Sequence, residues 1–365
     1  MKRSIAIILM LALCVGGFFA LPALKQEQPE VDVAMQLLGV PGDTTIATVN
    51  GAPISVREYG FWVAFTADTL SYYSNGQALD WEMEEDGFTL REAIENEAKM
   101  SAKLYTLVES KVKELNLTLS PEAEAERNTL IEDTTEQLGG EEGLRDWLAY
   151  NGLSYDEFVR QSTVPFYYDL LAEELADHSP ATTAEVEQYI SDNDLLRAKH
   201  ILFMTVEDTN GQPLEEAVIA EKKAKAEETL AALQASTDLE ADFDRLMQEH
   251  SEDEGLKTNP DGYTFTTNDM VPEFEAATRE LEYGAMSGIV ETSYGYHIIL
   301  RLDPAGEKVA AAAVNQRVVE ETNQMVVDWM EEYELETTEL FDRFDPEAYY
   351  NALCASRAAA EAAEK

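Results

Sequence analysis

Two short apolar runs, each carrying a histidine, confine what the middle of this chain can fold into. The first reads Ala198-Lys199-His200-Ile201-Leu202-Phe203 and the second Tyr294-Gly295-Tyr296-His297-Ile298-Ile299-Leu300-Arg301. Both are short, apolar and bounded by turn or helix signals, the marks of strands. Period-2 alternation puts His200 on one face with Ala198 and Leu202, and groups His297 with Ile299 and Arg301. Between the runs, Ile219, Ala226, Leu230 and Leu233 recur at helical spacing, as do Leu239, Phe243 and Leu246, and then Phe274, Ala277 and Leu281. The stretch from Leu195 to Pro304 therefore reads as a small α+β unit.

The same stretch carries five ordered motifs: Lys199-His200-Ile201-Leu202, His250-Ser251-Glu252-Asp253, Met270-Val271-Pro272-Glu273-Phe274-Glu275, Met286-Ser287-Gly288 and Tyr294-Gly295-Tyr296-His297-Ile298-Ile299. Their order and spacing resemble the parvulin-type peptidyl-prolyl cis/trans isomerases. The resemblance implies a parvulin-like small sheet with surrounding helices. It also implies a proline-ring pocket lined by Met270 and Phe274, with Phe265 as a further wall. His200 and His297 match the family's paired histidines, Asp253 falls where some members have cysteine and others aspartate, and Thr292 matches a hydroxyl that orients one histidine. These four are the implied catalytic positions. One segment departs from the pattern: Asn259-Pro260-Asp261-Gly262-Tyr263-Thr264-Phe265 replaces the family's glycine-rich run, so the usual pocket leucine is missing and Tyr263 is the candidate to take its place.

That chemistry needs neither nucleophile nor cofactor. Rotation about the peptide bond has a barrier of about 18–20 kcal/mol, and the X-Pro isomers differ by about 0.5–1 kcal/mol, so a catalyst need only favour the twisted amide over both planar forms. Other chemistries lack their residues. His178, His200, His250 and His297 have neither His-x-x-x-His nor Cys/His spacing, so no metal site is expected. There is no Gly-x-Ser-x-Gly elbow or phosphate loop. No Lys or Arg stands between Leu202 and Glu221, so the basic cluster that recognises phosphate before proline in some parvulins is absent.

Seventy-two acidic residues against 26 basic ones give a net charge of −46, which excludes nucleic acid and anionic membrane surface as partners. No Asp-x-Asp-x-Asp-Gly loop suggests calcium. At the N-terminus, Met1-Lys2-Arg3 followed by the uncharged apolar run Ile5 to Leu21 reads as an export signal, either cleaved or kept as an anchor through residues 4–21. Lipidation at Cys14 is a further option, and Cys354 is the only other cysteine, so no disulfide framework is expected.

Before the central unit, Ile46 to Ile54 forms a strand with an Asn50-Gly51 turn, and Ser55 with Glu58 reads as a capping box. This stretch resembles the start of the helical region in exported foldases of the PrsA and SurA type. Ile94, Ala98, Ser101, Tyr105, Val108, Val112 and Leu115 form the seam of a long helix from about Thr89. Ser120-Pro121 opens the next helix and Gly139-Gly140 ends it; Ser154 with Glu157 and Thr182 with Glu185 open two more. Val314, Val318, Met325 and Trp329 mark a helix from near Glu307 that is expected to pack back on the N-terminal helices.

The expected organisation is a signal peptide or anchor over 1–24, a linker over 25–42, an all-α chaperone lobe over 43–192 and the isomerase domain over 195–304. A C-terminal helix over 306–344 and a flexible Ala/Glu-rich tail over 345–365 follow. The implied function is isomerisation of X-Pro bonds in unfolded or partly folded exported polypeptides, outside the bacterial cytoplasm, with a non-catalytic holdase as the alternative. Oligomeric state is not legible in the sequence.

Overall fold

The computed structural model describes residues 32–74, 78–85, 87–206 and 212–363. The expected signal segment, Cys14 and the start of the expected linker lie outside them. The described chain divides into two compact units, one running to Asp177 and resuming at Val318, the other spanning His178 to Arg317.

In the first unit, α1 (Val33–Leu38) precedes a hairpin of β1 (Thr45–Val49) and β2 (Ala52–Ser55). Asn50 and Gly51 turn it with φ of 49° and 72°, the positive values that a two-residue hairpin requires. Then come α2 (Val56–Tyr73), a small ladder of β3 (Glu84–Glu85) with β4 (Phe88–Thr89), α3 (Leu90–Glu114), α4 (Pro121–Gln137), α5 (Gly140–Asn151) and α6 (Tyr155–Leu175). In the second unit, α7 (Thr183–Asp192), β5 (Leu196–Met204), α8 (Glu216–Gln234), α9 (Leu239–His250), β6 (Tyr263–Phe265), α10 (Pro272–Glu280), β7 (Met286–Thr292) and β8 (Gly295–Leu302) follow in order. Helix α11 (Glu307–Glu332) begins in the second unit and ends in the first, which β9 (Glu336–Thr337) and α12 (Pro346–Ala363) complete.

Four features of the first unit differ from the sequence reading. Val33–Leu38, read as spacer, is a capped helix: the Asp32 side chain accepts from Met35 N, Gly39 closes the end at φ 72°, and Val33, Ala34 and Leu38 are buried. The lobe is helix-rich but not all-α, because β9 adds a third strand to the β1–β2 hairpin. The preceding helix ends at Gln137 before the two glycines, but Gly139 caps and Gly140 begins a further helix, α5, that the sequence reading lacks. Ser55 caps α2 as expected, accepting from Glu58 N, but no reciprocal bond forms. Glu58 is instead buried, accepting from Arg160 at 2.8 Å, and Arg160 also meets Glu109 at 2.6 Å.

The expected flexible tail is the clearest correction. Pro346–Ala363 is a helix whose Tyr349 and Leu353 are 3% and 1% exposed, with Arg357 buried one turn further on. The i, i+4, i+8 stripe was hidden by the surrounding alanines. Tyr349 lies on α2 at Gly60, where a Cβ would stand 2.1 Å from the tyrosine ring; a glycine in mid-helix costs about 1 kcal/mol in propensity, and here it admits the ring. Arg357 donates to Tyr150 O at 2.9 Å and bonds Asp68 Oδ1 at 3.0 Å.

The second unit is built on a four-stranded antiparallel sheet in the order β6-β5-β8-β7. β5 and β8 pair along eight residues, Leu202 opposite His297 and His200 opposite Ile299. On one face, Ile201, Phe203, Tyr296, Ile298 and Leu300 pack with Ala226 and Leu233 of α8 and with Phe243, Leu246 and Met247 of α9. On the other, Leu196, Ala198 and Ile299 pack with Phe265 and with Phe274 of α10. Both histidines project on this second side. The β7 ladder is broken by a bulge between Met286 and Ile289, where the Ser287 hydroxyl accepts from Ile299 N at 2.8 Å in place of a strand carbonyl.

Because Tyr349 is a core residue, Tyr349→Ala should cost about 3–5 kcal/mol and expose the amides of 346–363 to hydrogen exchange. A loosely held tail would change stability by no more than about 0.5 kcal/mol.

Candidate active site

The second face of the sheet opens into a cleft of about 910 Å³, lined by residues including His200, Asp253, Tyr263, Met270, Phe274 and His297. Its polar side is one line of hydrogen bonds. Tyr294 N–H donates to Thr292 Oγ1 at 3.1 Å, and Thr292 Oγ1 lies 2.8 Å from His297 Nε2. His297 Nδ1 lies 3.1 Å from His200 Nδ1, and His200 Nε2 lies 2.9 Å from Asp253 Oδ2. The two imidazoles stack with centroids 5.2 Å apart at 27°.

The charge on Asp253 sets the direction of this line. Burial raises its carboxyl, but hydrogen bonds from His200 and Tyr263 outweigh that and hold it at about 2. Its Oδ1 accepts from Gly255 N at 3.0 Å and its Oδ2 from the Tyr263 hydroxyl at 2.6 Å. His297, 3% exposed, is pushed by burial to about 3, with His200 lowering it further and Asp253 opposing, so it is neutral. A carboxylate only accepts, so His200 Nε2 carries a proton toward Asp253. Where His200 carries that one proton only, its Nδ1 accepts from His297 Nδ1–H, and His297 Nε2 accepts from the Thr292 hydroxyl. All donors point toward Asp253, a mutually polarising arrangement.

Local sequence positions these groups. Ser251 and Glu252 run along the end of β5: Leu202 N donates to Ser251 Oγ at 3.1 Å, Glu252 N to Leu202 O at 2.8 Å, and Met204 N to Glu252 Oε2 at 2.7 Å. This brings Asp253 beside His200. A Cβ on Gly255 would lie 2.1 Å from the Tyr263 hydroxyl, so only glycine there lets Tyr263 reach Asp253. Pro272 begins α10, and Arg301 of β8 caps its far end, donating to the carbonyls of Arg279 at 3.0 Å and Leu281 at 2.6 Å. The Phe274 ring meets both imidazoles edge-on, at 5.2 Å to His200 and 5.5 Å to His297.

Of the residues singled out in the sequence, six line the cleft and two stand behind it. Thr292 backs His297, and Phe265 lies beneath Phe274 with centroids 5.9 Å apart, in the core and not on the cleft wall. Phe274 itself is 2% exposed and forms a floor. Sequence reasoning passed over Leu202, Met204, Lys222 and Tyr294, which also line the cleft. Alternation already places Leu202 on the His200 face, though without a site role, and Met204 is the next residue on that face. Lys222 comes from a distant helix and left no local signal.

The sheet, its helices and this cleft define a parvulin-type domain. In agreement, the family model for the rotamase, or PPIC-type PPIase, domain matches residues 200–303, so the second unit contains a PPIC-type peptidyl-prolyl isomerase domain. Among curated relatives, the chain is 32% identical over 181 residues to the foldase protein PrsA of Oceanobacillus iheyensis, covering 48% of this chain and 46% of the relative. It is 30% identical over 141 residues to the chaperone SurA of Thiobacillus denitrificans, covering 36% of this chain and 29% of that protein. The chain thus spans less than half the length of these relatives. The crystal structure of PrsA from Bacillus subtilis aligns over 68% of this chain and 92% of its own, at 20% identity and a TM-score of 0.26.

His297 binds fewer protons folded than unfolded between about pH 3 and its ordinary 6.5. Its contribution to stability is complete above pH 6.5 and is lost as pH falls toward 3, at about 1.4 kcal/mol per unit. Hydrogen exchange of β8 amides, corrected for intrinsic rates, should therefore speed up about tenfold per unit from pH 6.5 to 4.5. His297→Gln should flatten that slope; an unchanged slope would mean the imidazole is not held neutral.

Proposed function

We propose that the chain is an exported foldase whose second unit catalyses cis/trans isomerisation of X-Pro bonds in unfolded polypeptides. One observation carries the reading: a hydrogen-bonded line of two imidazoles, ending on a carboxylate, forms part of the same cleft as Met270 and the Phe274 floor. A cleft of this volume is large enough for a proline and its neighbours.

The chemistry follows from what a planar amide loses on twisting. Resonance places partial negative charge on the carbonyl oxygen, and an apolar surface that displaces water supports that charge-separated form less well. Phe274 and Met270 supply such a surface for the proline ring. His200, Asp253, Thr292 and His297 act as fixed dipoles that need not change protonation during rotation, which pre-organises them for the twisted amide. Tyr263 takes the place of an apolar wall residue and brings a hydroxyl that is already committed to Asp253. No covalent intermediate is involved.

Export rests on the sequence of residues 1–24, as a cleaved signal or as an anchor through 4–21. Among the described residues no helix is long and apolar enough to cross a membrane. The helix-rich first unit is proposed to hold unfolded chains while the second isomerises them.

Proline-limited refolding of a model substrate tests the reading. The full-length chain should accelerate it at substoichiometric amounts, and Met270→Ala, which trims a cleft wall without opening the core, should lower kcat/KM at least tenfold. Phe274→Ala should abolish activity and also cost about 3–5 kcal/mol, because the ring is core. Suppressed aggregation without acceleration would assign a holdase instead.

A further inference from the structure

The charge lining the cleft is one-sided. Among the described residues that line it, Lys222 is the only lysine or arginine, against Glu252, Asp253, Glu254 and Asp269. With histidines counted as neutral, the lining carries a formal charge of −3. Lys222 is already spent: its ammonium lies 2.6 Å from each oxygen of Glu252, which also accepts from Met204 N. Asp253 is enclosed by His200, Tyr263 and Gly255. Glu254 and Asp269 are left as exposed carboxylates with no cation paired to them among the described residues. Asp269 is fixed at the cleft by Thr266, whose backbone N and hydroxyl donate at 2.8 Å and 2.9 Å.

Both carboxylates share the cleft lining with the apolar floor and adjoin its residues in the chain. Glu254 directly follows Asp253, and Asp269 directly precedes Met270. A polypeptide laid with its proline against Met270 and Phe274 brings its neighbouring residues against this acidic lining. We infer that the cleft selects prolines flanked by lysine or arginine and discriminates against those flanked by glutamate or phosphoserine. The inference rests on the isomerase reading of the same cleft and adds its substrate class. A cation within several ångströms of two exposed carboxylates gains enough to shift selectivity about five- to tenfold at low salt, and a screening electrolyte removes most of it.

The test uses the full-length chain and a peptide series in which lysine, alanine, glutamate or phosphoserine stands before or after one proline. Both kcat/KM for isomerisation and binding by fluorescence anisotropy are read at low and at high salt. Lysine peptides should exceed glutamate peptides about five- to tenfold in both readouts at low salt, converging at high salt. The ratio should fall toward one in the Glu254→Gln/Asp269→Asn variant. Equal or inverted preference in the parent chain would overturn the inference, as would a preference the double variant leaves intact. Binding decides the charge preference even if no peptide is isomerised, an outcome that would sink the isomerase reading separately.

Discussion

The cleft depends on the register in which β5 meets β8. Leu202 faces His297 and His200 faces Ile299, so the two histidines are diagonal neighbours on one face and their rings stack. A slip of one residue would turn one of them to the opposite face, among Ile201, Phe203 and Ile298, where an imidazole would have no partner. The register is protected by burial on both faces, and by Ser251 and Glu252, which bond along the end of β5 and fix Asp253 beside His200.

From that pairing the electrostatics follow. Burial keeps His297 neutral, and a neutral imidazole offers one donor and one acceptor, which Thr292 and His200 satisfy. The remaining charge sits at the Asp253 end, where three donors converge on the carboxylate. The apolar floor and the polar line thus meet at Phe274, whose ring touches both imidazoles edge-on. Arg301, one face-repeat beyond Ile299, caps the helix that carries Phe274, so a single strand supports both the polar and the apolar sides.

Much of this was legible in the sequence because it is periodic. Alternation assigned His200, Ala198 and Leu202 to one face, and 3.6-residue spacing found α8 to α10. The roles assigned to Asp253 and Thr292 came from the motif resemblance, since neither spacing nor composition brings 253 to 200 or distinguishes Thr292 from any other strand threonine. Tyr263 was visible as a departure, but its hydroxyl bond to Asp253 depends on Gly255, eight residues away, and only coordinates reveal it. In the first unit the misses share a cause. Alanine-rich composition masked the Tyr349, Leu353, Arg357 stripe, and polar flanks masked Val33, Ala34 and Leu38. Glu58 was read from local capping rules when Arg160 on a distant helix supplied its partner.

The central claim is that the two imidazoles form a line with every donor directed at Asp253 and with His297 held neutral. Nitrogen-15 NMR of the ring nitrogens of His200 and His297 at pH 7.5 tests it directly. The account predicts a proton on Nε2 of His200 and on Nδ1 of His297, with His297 remaining singly protonated well below its ordinary titration range. A proton on Nε2 of His297, or a doubly protonated His297 near pH 6, would contradict it.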